Sequence, residues 1–164
     1  MIATRNRISF DPELIRRYDL RAPRYTSYPS ADHFENNFTE KHYRQAAVTS
    51  NEIPIPSALS LYFHIPFCNS LCFFCACNKV VTRRTEVADK YLDHVCQEIQ
   101  LQGGLYDNDR EVVQLHLGGG TPTFLTMSQI KRLLQKVDQH FLRSTNPNRE
   151  FSIEIDPRTV IPES

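Results

Sequence analysis

Four of the chain's five cysteines fall inside "FCNSLCFFCACNK", residues 67–79. Cys68, Cys72, Cys75 and Cys77 follow the spacing C-x3-C-x2-C-x-C. Thiols at this density can hold a metal or do redox chemistry. Structural zinc sites draw their thiolates from two C-x2-4-C pairs set well apart. Four thiols within ten positions are cramped for one tetrahedral ion. A redox disulfide fits C-x-x-C at 72–75 and leaves Cys68 and Cys77 without a task. An iron–sulfur cluster suits a compact loop, because each of several irons takes one thiolate.

A second constellation is glycine. The chain has five glycines, and three of them sit together in "LGGGTPT" (117–123). Glycine directly after a strand lets the backbone approach a ligand closely and adopt positive φ. A tight strand-to-helix turn would use the same residues. Glu154 in "EFSIEID" is a third candidate, against the reading of an ordinary surface carboxylate. His64 and His116 lie on strands, each readable as a polar-face donor or as a satisfied interior histidine.

These residues must be carried by elements that the hydrophobic pattern predicts. "ALSLYFHI" (58–65) alternates and reads as a strand, as do "EVVQLHL" (111–117) and "EFSIEID" (150–156). Residues 85–102 carry Val87, Tyr91, Val95 and Ile99 at four-residue steps, with Leu92 and Cys96 beside them, so a helix is predicted. Cys96 is assigned to the core. Gly103 and Gly104 are expected to end that helix in the left-handed position. Residues 126–142 predict a second helix, with Thr126 and Gln129 as a capping box and Ile130, Leu133, Leu134, Val137 and Phe141 as the buried stripe. The order β-α-β-α-β implies parallel strands.

A parallel sheet covered on both faces reads as continuous apolar runs. These strands alternate instead. Leu59, Leu61, Phe63 and Ile65 oppose Ser60, Tyr62 and His64; Val113, Leu115 and Leu117 oppose Gln114 and His116; Phe151, Ile153 and Ile155 oppose Ser152, Glu154 and Asp156. The polar face is expected to line a cavity in a curved sheet or partial barrel, with a solvated face as the alternative. The cysteine loop follows the first strand, at the end where parallel α/β folds bind ligands.

Residues 1–57 read as an N-terminal arm and linker. Prolines recur at 12, 23, 29, 54 and 56, and "DPELIRRYDL" and "TEKHYRQAA" form short helical segments. The 164 residues are balanced at 19 basic and 19 acidic side chains, so charge points to no nucleic acid. No apolar stretch approaches the ~20 residues of a membrane span. A signal peptide is not legible, and clustered thiols fit a reducing, cytoplasmic compartment.

The C-x3-C-x2-C spacing resembles the signature of the radical S-adenosylmethionine (AdoMet) enzymes. "PRYTSYP" (23–29), "YFHIPFC" (62–68), "CNKVVTR" (77–83), "LHLGGGTPT" (115–123) and "EIDPR" (154–158) resemble one branch of that family, the oxygen-independent coproporphyrinogen III oxidases. The resemblance spans roughly residues 15 to 160. It implies a [4Fe-4S] cluster on Cys68, Cys72 and Cys75, whose fourth iron chelates AdoMet. An electron from the cluster then cleaves the sulfonium to a 5′-deoxyadenosyl radical. Cys77 is implied not to be a ligand; it distinguishes this branch from the related haem chaperones and stands with His64 as a catalytic candidate. Tyr62, Gly119 and Glu154 match contacts to the cluster-bound AdoMet, and Phe74, Gly120 and Thr121 match contacts to a second AdoMet. The implied reaction is oxidative decarboxylation of two propionates of coproporphyrinogen III to vinyls in haem biosynthesis, one AdoMet per decarboxylation.

The implied partners are that substrate and an electron donor, with a monomeric whole enzyme. Four substrate carboxylates call for basic side chains, and Arg21, Arg24, Lys79 and Arg83 are candidates. Tyr25 and Tyr28 would pack on substrate or anchor the arm. Within the resemblance, residues 58–164 correspond to the N-terminal half of a partial barrel of about six βα units. The resemblance therefore implies an incomplete (β/α) partial barrel of three parallel strands and two helices, not expected to be active by itself. The alternative is a non-catalytic iron–sulfur or haem-binding fragment.

Overall fold

The computed structural model describes residues 10–19, 33–73, 75 and 77–158. Its contacts separate residues 1–38 from residues 39–164. In the first unit, α1 (Pro12–Tyr18) starts at Asp11, whose carboxylate accepts from Glu13 N (2.9 Å) and Leu14 N (3.1 Å). This is the N-cap that frees no amide to search for water.

The second unit contains α2 (Glu40–Thr49), β1 (Leu59–Ile65), β2 (Phe67–Cys68), β3 (Val80–Val81), α3 (Val87–Gly103), β4 (Glu111–Gly119), α4 (Met127–His140), β5 (Leu142–Arg143) and β6 (Glu150–Ile153). The expected break at 57/58 falls inside this unit. Arg110, buried at the start of β4, donates to Ser50 Oγ (2.7 Å), Asn51 Oδ1 (2.7 Å) and the Ser57 carbonyl (2.8 and 3.1 Å). Those bonds join the end of α2 and its linker to the sheet. Tyr43 of α2 adds a contact to Gln102 and Tyr106.

The main sheet is parallel throughout, as the β-α-β-α-β order requires. β1 pairs one side of β4, while β5 and then β6 pair the other. The third strand is thus split, with residues 144–149 looping out between β5 and β6. β6 stops at Ile153 rather than 156, although Glu154 N still donates to the Leu117 carbonyl (2.9 Å).

The helices form as their periodicity predicts. Thr126 and Gln129 exchange the two bonds of a capping box, at 3.2 and 2.9 Å. Leu133, Val137 and Phe141 are buried, with Ile130 and Leu134 packed beside them. On α3 the buried residues are Ala88, Leu92, Val95, Ile99 and Gly103, while Cys96 is half-buried and outside the core cluster. The α3 stop also differs from expectation: Gly104 caps it with a right-handed φ of −74°. One strand assignment shifts as well. A bulge between Leu59 and Ser60 pairs them with Val112 and Gln114, skipping Val113. An extra residue in the ladder turns the chain, so Val112, not Val113, enters the core.

The expected alternation puts Leu59, Ile65, Leu115 and Leu117 under the helices. The polar face is open rather than enclosed: Tyr62 is 58% exposed, and Ser152 and Glu154 are exposed too. On the third strand Ile153 and Ile155 are also exposed.

Candidate functional site

The candidate residues gather at the C-terminal ends of β1, β4 and β6. Parallel register aligns Tyr62, His116 and Ser152 in one row across the three strands. Side chains two apart share a face, so this row lies beside His64 and Glu154. Tyr62 stacks on His116, with ring centroids 5.7 Å apart. Tyr62 Oη meets His64 Nδ1 at 3.1 Å, and His64 Nε2 meets the Asn78 carbonyl at 2.9 Å. A carbonyl only accepts, so Nε2 carries the proton and Nδ1 accepts from the tyrosine. His64 therefore ties the strand to the far end of the cysteine loop. Burial raises the Tyr62 pKa, with the nearby Glu154 and Cys77 acting the same way.

The glycine turn is the tightest part of the site. Gly120 N donates to the Ile65 carbonyl and Thr121 N to the Phe67 carbonyl, both at 2.8 Å. These bonds lace the turn onto the β1–β2 segment. Gly119 adopts φ +109°, outside the range of ordinary L-residues. At Gly120 a Cβ would stand 2.8 Å from the Pro66 carbonyl carbon and 2.9 Å from Cys68 Sγ. The sequence signal for glycine was close backbone approach, and the approach is to the first cysteine itself. Glu154 Oε2 accepts from Gly119 N (3.0 Å), and its other oxygen faces His116 Nε2 at 3.5 Å. His116 is oriented in turn by Ser152 Oγ at 2.7 Å.

The cysteines are held unequally. Cys68 is buried on β2, which pairs with β3 through Val80 N to the Pro66 carbonyl (2.7 Å) and Thr82 N to the Cys68 carbonyl (2.9 Å). Cys72 and Cys77 are exposed, and Cys75 is intermediate. Among the described residues no three Cys, His, Asp or Glu side chains stand around one metal position. Each sulfur of the triad that the resemblance implies meets its own donor. Thr121 Oγ1 stands 3.5 Å from Cys68 Sγ, and Arg158 Nη2 stands 3.6 Å from Cys72 Sγ. A backbone N–H bond from Cys77 chiefly lowers the Cys75 pKa, with the Lys79 charge adding to it. Burial and the neighbouring Cys75 raise that of Cys77. Of this pair Cys75 ionises first. Hydrogen-bond donors aimed at sulfur favour the thiolate form that an iron ligand requires, so the donor set fits a cluster.

Of the basic candidates, Lys79 is half-buried and reaches back to the Cys75 carbonyl (3.5 Å), while Arg83 is exposed. Arg21, Arg24, Tyr25, Tyr28 and Phe74 lie outside the described residues. Arg158 carried no role in the sequence reading; its only signal was its place at the end of "EIDPR".

The fold can be placed among known proteins. No family model matches the chain. A solved structure of coproporphyrinogen III oxidase (HemN) from Escherichia coli, described as a radical SAM enzyme, superposes with a TM-score of 0.72 at 45% identity. It covers 94% of this chain and 32% of that one. The parallel sheet and its helices are thus those of the N-terminal part of a radical SAM fold. Oxygen-independent coproporphyrinogen III oxidase of Salmonella typhimurium is 48% identical over 93% of this chain and 32% of its own length. The protein of that name from Mannheimia haemolytica is 45% identical over 92% of this chain and 98% of its own length. The chain belongs to the oxygen-independent coproporphyrinogen III oxidase family. It spans about a third of the length of the Salmonella and E. coli relatives. No helix among the described residues is long and apolar enough to cross a membrane.

Proposed function

We propose that this chain supplies the cluster loop and the AdoMet-facing strand ends for oxidative decarboxylation of coproporphyrinogen III to protoporphyrinogen IX. The observation that carries the reading is the joint placement of C-x3-C-x2-C, the Gly119–Gly120 turn and Glu154 at one end of the sheet, in a chain that is 45% identical to a radical SAM enzyme over 94% of its own length. In this reading Cys68, Cys72 and Cys75 hold a [4Fe-4S] cluster, and Cys77 stays outside it. When bound, cluster and AdoMet supply reductive cleavage of a sulfonium and abstraction of a substrate hydrogen.

The chain's own residues bind and orient. Gly119 opens the backbone so that a ligand can lie against the strand end. Glu154, oriented by Gly119 N–H and His116, accepts from an ammonium group such as that of a methionine moiety. Tyr62 closes the same row. Gly120 and Thr121 serve the second AdoMet of the reaction, and Lys79 and Arg83 meet substrate carboxylates, for which a guanidinium offers a bidentate fork. A reducing compartment and an electron donor complete the requirement.

Anaerobic reconstitution with ferrous iron and sulfide tests the reading. A brown protein with one cluster per chain is expected, lost in Cys68→Ala, Cys72→Ala and Cys75→Ala and kept in Cys77→Ser. A colourless protein that retains stoichiometric zinc overturns it.

A further inference from the structure

We infer that Arg158 is a positioning residue for Cys72: a guanidinium locked by Asp156 that hydrogen-bonds this sulfur and raises the reduction potential of a cluster bound there. The inference rests on the cluster reading above and concerns a residue to which that reading gives no task.

The geometry is built around one turn. Asp156 Oδ1 accepts from Arg158 N (3.0 Å) and Nε (2.9 Å), and Oδ2 accepts from Nη2 (2.7 Å). An aspartate that bonds the backbone two residues on closes a local turn, and Pro157 between them narrows the backbone choices. The Asp156 side chain is 18% exposed, against 61% for Arg158, so the carboxylate is the fixed partner. The same Nη2 that serves Asp156 stands 3.6 Å from Cys72 Sγ. Nη2, a terminal guanidinium nitrogen, has two hydrogens, one for each acceptor. The bond links the loop after β2 to the turn after β6, residues 86 apart in the chain.

A surface ion pair between neighbours needs no sulfur in its geometry, and an isolated one stabilises little. Here the pair aims a permanent positive charge at one thiolate of the predicted triad. Guanidinium does not deprotonate in this range, so its charge is constant. One-electron reduction by dithionite adds negative charge beside Cys72, with no bond made or broken and no proton moved. A cation at that sulfur favours the reduced form. Hydrogen bonds to cluster sulfurs and local net charge are recognised determinants of cluster potential. Outer partners of ligands also govern metal retention.

The test uses the full chain, reconstituted anaerobically, as wild type, Arg158→Gln, Arg158→Lys and Asp156→Asn. Midpoint potentials come from dithionite titration followed by electron paramagnetic resonance, and iron release to a chelator is timed. Arg158→Gln is expected to shift the potential downward and to speed iron release about tenfold. Arg158→Lys keeps the charge and recovers most of the potential, while Asp156→Asn frees the guanidinium from its anchor and speeds iron release without lowering the potential as Arg158→Gln does. A loaded Arg158→Gln protein with wild-type or higher potential and unchanged iron release overturns this inference alone. A wild type that takes up no cluster overturns both it and the reading on which it rests.

Discussion

Two stretches meet at the mouth of the sheet and are held by different means. The Gly118–Thr121 turn and Cys68 are fixed by backbone: two 2.8 Å amide bonds, a positive φ, and no room for a Cβ at Gly120. The loop carrying Cys72, Cys75 and Cys77 is exposed or half-exposed and is held by side chains, Arg158 and Lys79 among them. The difference teaches how such a site is assembled. The turn is fixed by main-chain bonds that any substitution must respect, whereas each described sulfur of the loop depends on a side-chain or single backbone donor.

Substitutions in the frame and in the loop should therefore part company. Gly120→Val is the harshest, since its side chain meets the backbone of Pro66 and Phe67; a loss of about 4 kcal/mol in urea unfolding is expected, with no iron uptake. Arg110→Ala strips the Ser57 carbonyl, Ser50 and Asn51 of a buried donor and should cost about 2 to 3 kcal/mol. Proteolysis within residues 39–58 should rise with it, as α2 loosens from the sheet. Thr126→Ala removes the α4 cap and should cost about 1 kcal/mol by the same unfolding curve.

A smaller effect is a function of pH. Burial, then the Tyr106 hydroxyl, push the Tyr43 pKa up to about 12. Its folded pKa exceeds the unfolded value near 10, so its contribution is whole below pH 10 and is lost as pH rises from 10 to 12. Tyr43→Phe should flatten stability across that window in pH-dependent melts. The loop marks the low end of the scale: metal-free Cys72→Ser should unfold within about 0.5 kcal/mol of wild type while losing its cluster. A large stability loss there would erase the contrast between frame and loop.

Periodicity made both main helices and three of the four strands of the main sheet legible, because each buries one face and the apolar spacing records which. It could not register the bulge that exchanges Val113 for Val112, since adjacent valines satisfy either pairing. Nor could it find β5 or the β2–β3 pair, as two-residue strands carry no period. The tie of α2 to the sheet is not legible locally, because Arg110 lies about 60 residues from its partner Ser50. The open polar face follows from what packs over it, which no strand's own alternation reports.

The sequence by itself determined the thiol spacing, the glycines and the strand ends that carry them, and so the class of chemistry. These are local matters of residue type and interval. Only the tertiary structure decided that Gly120 passes against Cys68, that Glu154 is oriented by Gly119, and that Arg158 reaches Cys72. Each of those joins segments 35 to 86 residues apart or seats one backbone on another, and parallel pairing, not spacing, brings them within bonding distance.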